Sequence, residues 1–357
     1  MEPAAGFPEL ELAVRPPYPP MEALAVDALP PGDDWLFEPK WDGFRCLAFR
    51  AGDRVVLQSK SAQPLTRYFP ELVAALLAVP LPRFVLDGEI VVAHDGRLDF
   101  DALLQRIHPA ESRVRKLSRE TPVTYLVFDV LVDDADRDLT ALPLAERRRR
   151  LERLFAGVPA DGTLRLSPVT GERELAGRWL AELGGGGLDG VVAKRADAAY
   201  ASGERTAMRK VKHMRTADCV VGGFRYAQTG GAIGSLLLGL YDDEGLLHHV
   251  GFSASFTGEE RRALKPVLEP LVEPPGFTGG APGGPSRWSA GRNTEWKPLA
   301  PRLVCEVRYD HFSGGRFRHG TKFLRWRPDK APRLCTLAQL EGGRDDSLAA
   351  FWGRRAG

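Results

Sequence analysis

Apolar residues follow two different rhythms along the chain. Up to about residue 213, apolar runs of strand length alternate with segments of helical period; beyond residue 216, short apolar runs are separated by Gly-rich turns. In the first part the pattern predicts a strand, a turn and a second strand over 35–49. Further strands are expected at 55–57, 84–92, 123–131 and 188–195. Helical period is expected over 69–79, 99–107, 144–155 and 172–183, the last closed by the glycine run Gly184 to Gly187. Residues 1–35 form a Pro-rich approach with one short apolar segment at 21–29. The helix over 144–155 carries Arg147 to Arg150, read as a solvated face with a phosphate contact as the alternative.

The second part predicts strands around 220–221, 236–241, 248–252 and 303–309, one helix over 258–271 and a Pro/Gly loop over 273–285. Five or so short strands with one helix suit a small barrel of the OB type. The change of rhythm puts the boundary near 213–217. The expected organisation is α+β, with one domain over 1–215 and an all-β domain with a C-terminal tail over 216–357. The chain shows no internal repeat.

Composition narrows the class. Apolar residues are 43% and charged residues 27%, as in a soluble globular protein, and 357 residues suffice for two domains. The absence of an 18-residue apolar run argues against a membrane span. The first residues carry neither a basic region nor an apolar one, so no signal peptide is expected. Cys46, Cys219, Cys305 and Cys335 are scattered, which argues against a zinc site or a disulfide framework and fits a reducing cytoplasm. Net charge is only +2, so nucleic-acid binding would need local patches. Abundant Ala, Gly, Arg and Pro with a single Asn suggest a GC-rich bacterial genome.

The chemistry centres on residues 37–45. Lys40 stands between Glu38 and Asp42, with Arg45 five residues on. Pro39 and Gly43 favour a strand end or loop over a helix. A free lysine titrates near ~10.4, so roughly 0.1% is neutral at physiological pH. A neighbouring guanidinium or a divalent cation would raise that reactive fraction. The bland alternative is a surface lysine in a charged turn.

Single motifs are weak, but their order is informative. Glu38-Pro-Lys40-Trp-Asp42-Gly43 is followed by Asp87-Gly88-Glu89, Phe128-Asp129, Asp189-Gly190-Val-Val-Ala-Lys194, Lys210-Val-Lys212 and Arg325-Trp-Arg327-Pro-Asp329-Lys330. This series resembles the covalent nucleotidyltransferase superfamily and, within it, the ATP-dependent DNA ligases. From about residue 17 to 340 the chain resembles the compact bacterial (actinobacterial-type) ligase C group. The resemblance implies an ATP-grasp-like adenylation domain followed by an OB-fold domain, with ATP and Mg²⁺ (or Mn²⁺) as cofactors. It also implies nicked duplex DNA as partner, a monomer, and a cytoplasmic, nucleoid-associated place with possible DNA-repair proteins.

Roles follow from the resemblance one position at a time. Lys40 resembles the lysine that becomes lysyl-AMP, and Glu38 the residue reading the adenine amino group. Arg45 resembles a ribose and phosphate contact, Glu89 a ribose or metal carboxylate, and Phe128 the aromatic that stacks on adenine. Asp189 stands where the family usually has Glu and would help hold the cation; no role is carried onto Lys194. Lys210 and Lys212 resemble the lysine pair near the α-phosphate, and Arg205 the arginine upstream of them. Lys60 stands at a usual Arg, keeping charge but losing the bidentate fork. Met208-Arg209 replaces a usual Trp in a loop one residue shorter, which loosens the register of Arg205. Arg327, Asp329 and Lys330 would meet the outer phosphates in a closed state.

Carboxylates suit Mg²⁺, and positioned cations suit phosphoryl transfer. Without the resemblance, Phe128 reads as core, Glu89 and Asp189 as turn residues beside glycine, and Lys210-Lys212 as a basic loop. DNA contact is expected from Arg316, Arg318, Lys322 (at a usual Arg position) and Arg325. Phe317, Phe323 and Trp326 interleave them as in a strand that tracks phosphates. Two alternatives stay open: an RNA ligase or capping-type nucleotidyltransferase, and a non-catalytic DNA-end-binding scaffold.

Overall fold

The computed structural model describes residues 6–94, 97–159, 162–182, 188–227, 231–283 and 295–340. The glycine run 184–187, the end of the Pro/Gly loop and the C-terminal tail lie outside them. The chain divides into two compact units, the first ending at His213 and the second beginning at Met214.

The first unit is built on two sheets. The larger has the order Arg54–Ser59, Phe44–Ala51, Arg83–His94, Val123–Val132, Leu164–Leu166, antiparallel except for the last pair. Val123–Val132 is buried along almost its whole length, because apolar layers cover both faces of the sheet. Leu72 and Leu76 of helix Pro70–Ala78, with Leu151 and Phe155 of helix Leu144–Phe155, share one core with Leu57, Leu86 and Val127. Leu10, Leu12, Val14 and Met21 share a second core with Leu47, Phe49 and Leu131, so the Pro-rich approach is a packed layer.

The smaller sheet has the order Leu24–Ala25, Met208–Lys212, Leu188–Arg195, Trp35–Trp41. Ala176 of helix Arg173–Glu182 backs it, packed with Phe37, Val191 and Val211.

One helix goes unread in the sequence, and one expectation is corrected. Helix Glu111–Glu120 has no counterpart in the apolar pattern, because Val114 is its one buried residue and a single position sets no period. The basic run of helix Leu144–Phe155 is neither a solvated face nor a phosphate contact at its first two positions, where Arg147 and Arg148 are buried. Arg147 makes a bidentate pair with buried Asp129 (2.8 and 2.9 Å), pinning the helix to the Val123–Val132 strand. Arg148 pairs with Glu152, and Arg150 with Asp133 and Glu146.

The second unit is a curled antiparallel sheet in the order Leu247–Ser253, Ile233–Tyr241, Arg215–Tyr226, Val304–Tyr309, Lys322–Trp326. Its edges meet: Thr321 N donates to Phe252 O (3.1 Å) and Ser253 Oγ to Thr321 O (3.0 Å), so the sheet closes as a barrel. Helix Gly258–Leu268, with a capping box at Thr257 and Glu260, packs Leu264 and Leu268 into the barrel core. Several strands run longer than their apolar runs. Gly222 and Gly223 leave room for the rings of Phe277 and Trp296, which fill the core where the strand has no side chain. Residues 316–330 are not one strand, as expected, but the short pieces Arg316–Phe317 and Lys322–Trp326.

All four cysteines are free and buried, and Cys219 lies directly opposite Cys305 on neighbouring strands. Burial pushes the Cys335 thiol up to about 11, and the thiols of Cys46, Cys219 and Cys305 also lie above the ordinary value. Among the described residues no helix is long and apolar enough to cross a membrane.

Candidate active site

Lys40 lies near the end of the Trp35–Trp41 strand, paired with Leu188–Arg195. The pairing is irregular: Lys40 faces Gly190 and Trp41 faces Leu188, so Asp189 is the extra residue of a β-bulge. A bulge bends the strand and re-aims a side chain, and here the Asp189 carboxylate meets the Lys40 ammonium in an ion pair. Lys212 approaches the same oxygen at 3.9 Å. Gly190 makes the bulge possible. Its φ is +144°, and a Cβ there would stand 2.0 Å from the Val211 carbonyl oxygen.

A second bulge places Phe128. Asp87 faces Asp129 and Gly88 faces Val127, leaving Phe128 as the extra residue. Two cations lie over its ring, Arg45 Cζ at 4.5 Å and Lys194 Nζ at 4.2 Å. Lys194 donates to Glu38 (2.8 Å) in a buried pair, joining the two strands of the smaller sheet to this ring. Arg45 donates Nε and Nη2 to the two oxygens of Asp87 (2.6 Å each). The Tyr200 hydroxyl donates to Asp87 (2.6 Å) and accepts from Met21 N (3.1 Å). Glu89 is directly opposite Arg45. Burial pushes its carboxyl up to about 7, even though Arg45 and Lys40 favour the charged form.

The expected phosphate contacts converge around Lys210. Burial, and then the positive field of Lys40, Lys60, Lys212 and Arg205, hold its ammonium below the ordinary lysine value. Among the described residues Lys210 has no carboxylate partner. Lys60 (3.2 Å) and Arg205 (2.8 Å) share the carboxylate of Glu22. The structure therefore brings Glu38, Lys40, Arg45, Lys60, Glu89, Phe128, Asp189, Arg205, Lys210 and Lys212 into one region of the first unit. Sequence reasoning missed Lys194, Asp87, Tyr200 and Glu22. Lys194 and Asp87 lie inside quoted motifs, whereas Tyr200 and Glu22 sit in loops without a pattern.

Among the described residues no group of three His, Cys, Asp or Glu side chains could hold a metal by itself. Two carboxylates beside Lys40, Asp189 and Glu89, still fit Mg²⁺, which commonly takes one or two carboxylates and completes its shell with water and substrate phosphates.

The basic residues of the second unit are more engaged than expected. Arg325 pairs with Glu306 (2.6 Å), and Arg327 with Asp218 and Asp329. Arg327 holds the Asp329 carboxyl down to about 2. Lys330 donates to Asp218 (2.8 Å), while Arg316 and Lys322 are exposed.

Comparison with known proteins bears on the family. Residues 22–212 match the ATP dependent DNA ligase domain and residues 229–330 the ATP dependent DNA ligase C terminal region. DNA ligase C of Mycobacterium tuberculosis is 48% identical over 347 residues, covering 93% of this chain and 96% of that protein. DNA ligase C1 of Mycolicibacterium smegmatis is 46% identical over 342 residues, with the same coverage of 93% and 96%. A solved Lig E DNA ligase, 17% identical, superposes with a TM-score of 0.53 over 86% of this chain and 100% of that one, and shares the fold. With both family domains matched in order, and relatives of nearly the same extent close to half identical, the chain belongs to the ATP-dependent DNA ligases.

Proposed function

We infer that this enzyme seals nicks between a 5′-phosphate and a 3′-hydroxyl in duplex DNA through a lysyl-AMP at Lys40, in DNA repair. The observation that carries the reading is the convergence of Lys40, Lys60, Arg205, Lys212 and a carboxylate-free Lys210. Partly buried Lys40, Lys210 and Lys212 beside exposed Lys60 and Arg205, with Asp189 and Glu22 paired to members of the group, suit a polyphosphate.

In the first step Lys40 Nζ, once its ammonium has given a proton to solvent, would attack the α-phosphorus; a P–N bond forms and the bond to pyrophosphate breaks. Lys210 and Lys212 would stabilise charge on the α-phosphate, with Lys60 and Arg205 close by. Glu38 would read the adenine amino group beside Phe128, and Arg45, fixed by Asp87, would meet the ribose and phosphate. Mg²⁺ held by Asp189 and Glu89 would neutralise phosphate charge. Asp189 also holds the Lys40 ammonium in an ion pair. AMP then passes to the DNA 5′-phosphate, and the 3′-hydroxyl displaces it. Arg327, Asp329 and Lys330 would orient the leaving pyrophosphate in the first step. Arg316, Arg318, Lys322 and Arg325 would contact DNA phosphates, so sequence preference is low. A monomer in a bacterial cytoplasm, at the nucleoid with other repair proteins, completes the reading.

The experiment uses labelled ATP and a nicked duplex. Lys40→Ala should take no label and seal no ordinary nick, yet keep some sealing of a nick already carrying 5′-AMP. Label on Lys40→Ala would overturn the nucleophile. Labelling by GTP in place of ATP would favour a capping-type enzyme, and no covalent AMP on the wild type a non-catalytic scaffold.

A further inference from the structure

Arg327 and Lys330 converge on one carboxylate that belongs to none of the sequence motifs. Asp218, on the Arg215–Tyr226 strand, accepts two bonds from Arg327 Nη1 (2.9 and 3.0 Å) and one from Lys330 Nζ (2.8 Å). Its side chain is only 12% exposed. The backbone of Asp218 is itself clamped. Its N–H donates to Gln339 Oε1 (2.9 Å), and Gln339 Nε2 donates back to its carbonyl (3.0 Å). On the neighbouring strand Glu306 lies opposite Asp218 and takes Arg325. Asp329 grips the same Arg327 through Nε (3.0 Å) and Nη2 (2.8 Å).

We propose that Asp218 is a positioning residue for lysyl-AMP formation, holding Arg327 and Lys330 as a preset pair for the outer phosphates of ATP. The inference rests on the role given above to Arg327 and Lys330. Long, flexible cations stabilise developing charge best when they are ordered before it appears. A carboxylate anchored at both ends of its own residue can supply that order. It does so without using up the donors: an ammonium has three N–H groups, and among the described residues Lys330 gives one to Asp218. A mainly structural Asp218 would weaken every step alike, whereas a positioning Asp218 acts only where pyrophosphate leaves.

The test separates the two steps in the full-length enzyme. Single-turnover transfer of label from ATP to protein reads the first; closure of a nick carrying 5′-AMP reads the last. Asp218→Asn should slow the first by roughly tenfold to a hundredfold, as small misplacements of catalytic groups do, and leave the last close to wild type. Asp218→Glu keeps the charge and should recover part of the loss, which also covers the case in which the Asn variant folds poorly. Combined with Lys330→Ala, Asp218→Asn should add less than its loss alone, because only its hold on Arg327 is left to remove. Wild-type labelling by both Asp218 variants, or equal losses in both steps, would overturn the proposal. Lys330→Ala alone separates the two roles: if it leaves labelling intact, the pyrophosphate role of this segment fails. If it slows labelling while the Asp218 variants do not, only the inference about Asp218 fails.

Discussion

Lys40 stands out in the sequence for the charged residues around it, but its ion partner does not. Asp189 lies 149 positions away and reaches Lys40 only because a bulge turns it there. If Asp189 holds the cation as proposed, Asp189→Asn should raise the Mg²⁺ concentration needed for lysyl-AMP formation much more than it lowers the melting temperature, since the shell would lose one hard oxygen charge. Wild-type labelling at limiting Mg²⁺ would remove Asp189 from that shell. Glu89 carries a separate prediction about stability. Its carboxyl ionises near 7 in the fold and near ~4.3 in an unfolded chain. A raised carboxyl contributes stability that is full below the unfolded value and is lost as pH rises through the folded one. Metal-free wild type should therefore lose stability from about pH 4.3 to about pH 7 relative to Glu89→Gln. Melting curves across that window check it, and parallel curves would count against it.

Among elements, strands rich in Val, Leu and Phe are readable because burial on both faces writes them as continuous apolar runs. Helix Leu144–Phe155 is legible to the residue, since Leu144, Leu151 and Phe155 keep a helical period. Three features escape. Helix Glu111–Glu120 buries one residue and leaves no stripe. The Asp-Gly pairs at 87–88 and 189–190 lie inside strands, as expected, but the sequence does not show the bulges beside them that place Phe128 and Asp189, which glycine permits by close packing. The arginine run reads as solvated because its partner, Asp129, is remote in sequence. Arg147→Met should cost about 3–5 kcal/mol, because it strands Asp129 as a buried, unpaired charge. Urea unfolding of the variant measures that cost, and a loss under about 1 kcal/mol would mean that water or another group satisfies Asp129.

At the scale of the whole molecule, the change of rhythm near residue 213 marks where one compact unit gives way to the next. The distribution of charge is not marked in the same way, because a net charge of +2 conceals where cations gather. On the proposed reading, affinity for DNA rests on a few exposed side chains. Replacing Arg316 and Lys322 together by Ala should weaken binding to a nicked duplex and flatten its dependence on salt by about 0.9 in logarithmic slope for each DNA phosphate no longer neutralised. An unchanged slope would place the DNA elsewhere. The four buried thiols have a practical consequence. A water-soluble thiol reagent should find almost nothing to react with in the native enzyme, and each modification event should report an opening of the chain. Cys46 lies in the core of the first unit and the other three in that of the second, so mass spectrometry of partially modified protein would time the opening of each unit separately. The chain carries its own clock for local unfolding, with no added probe.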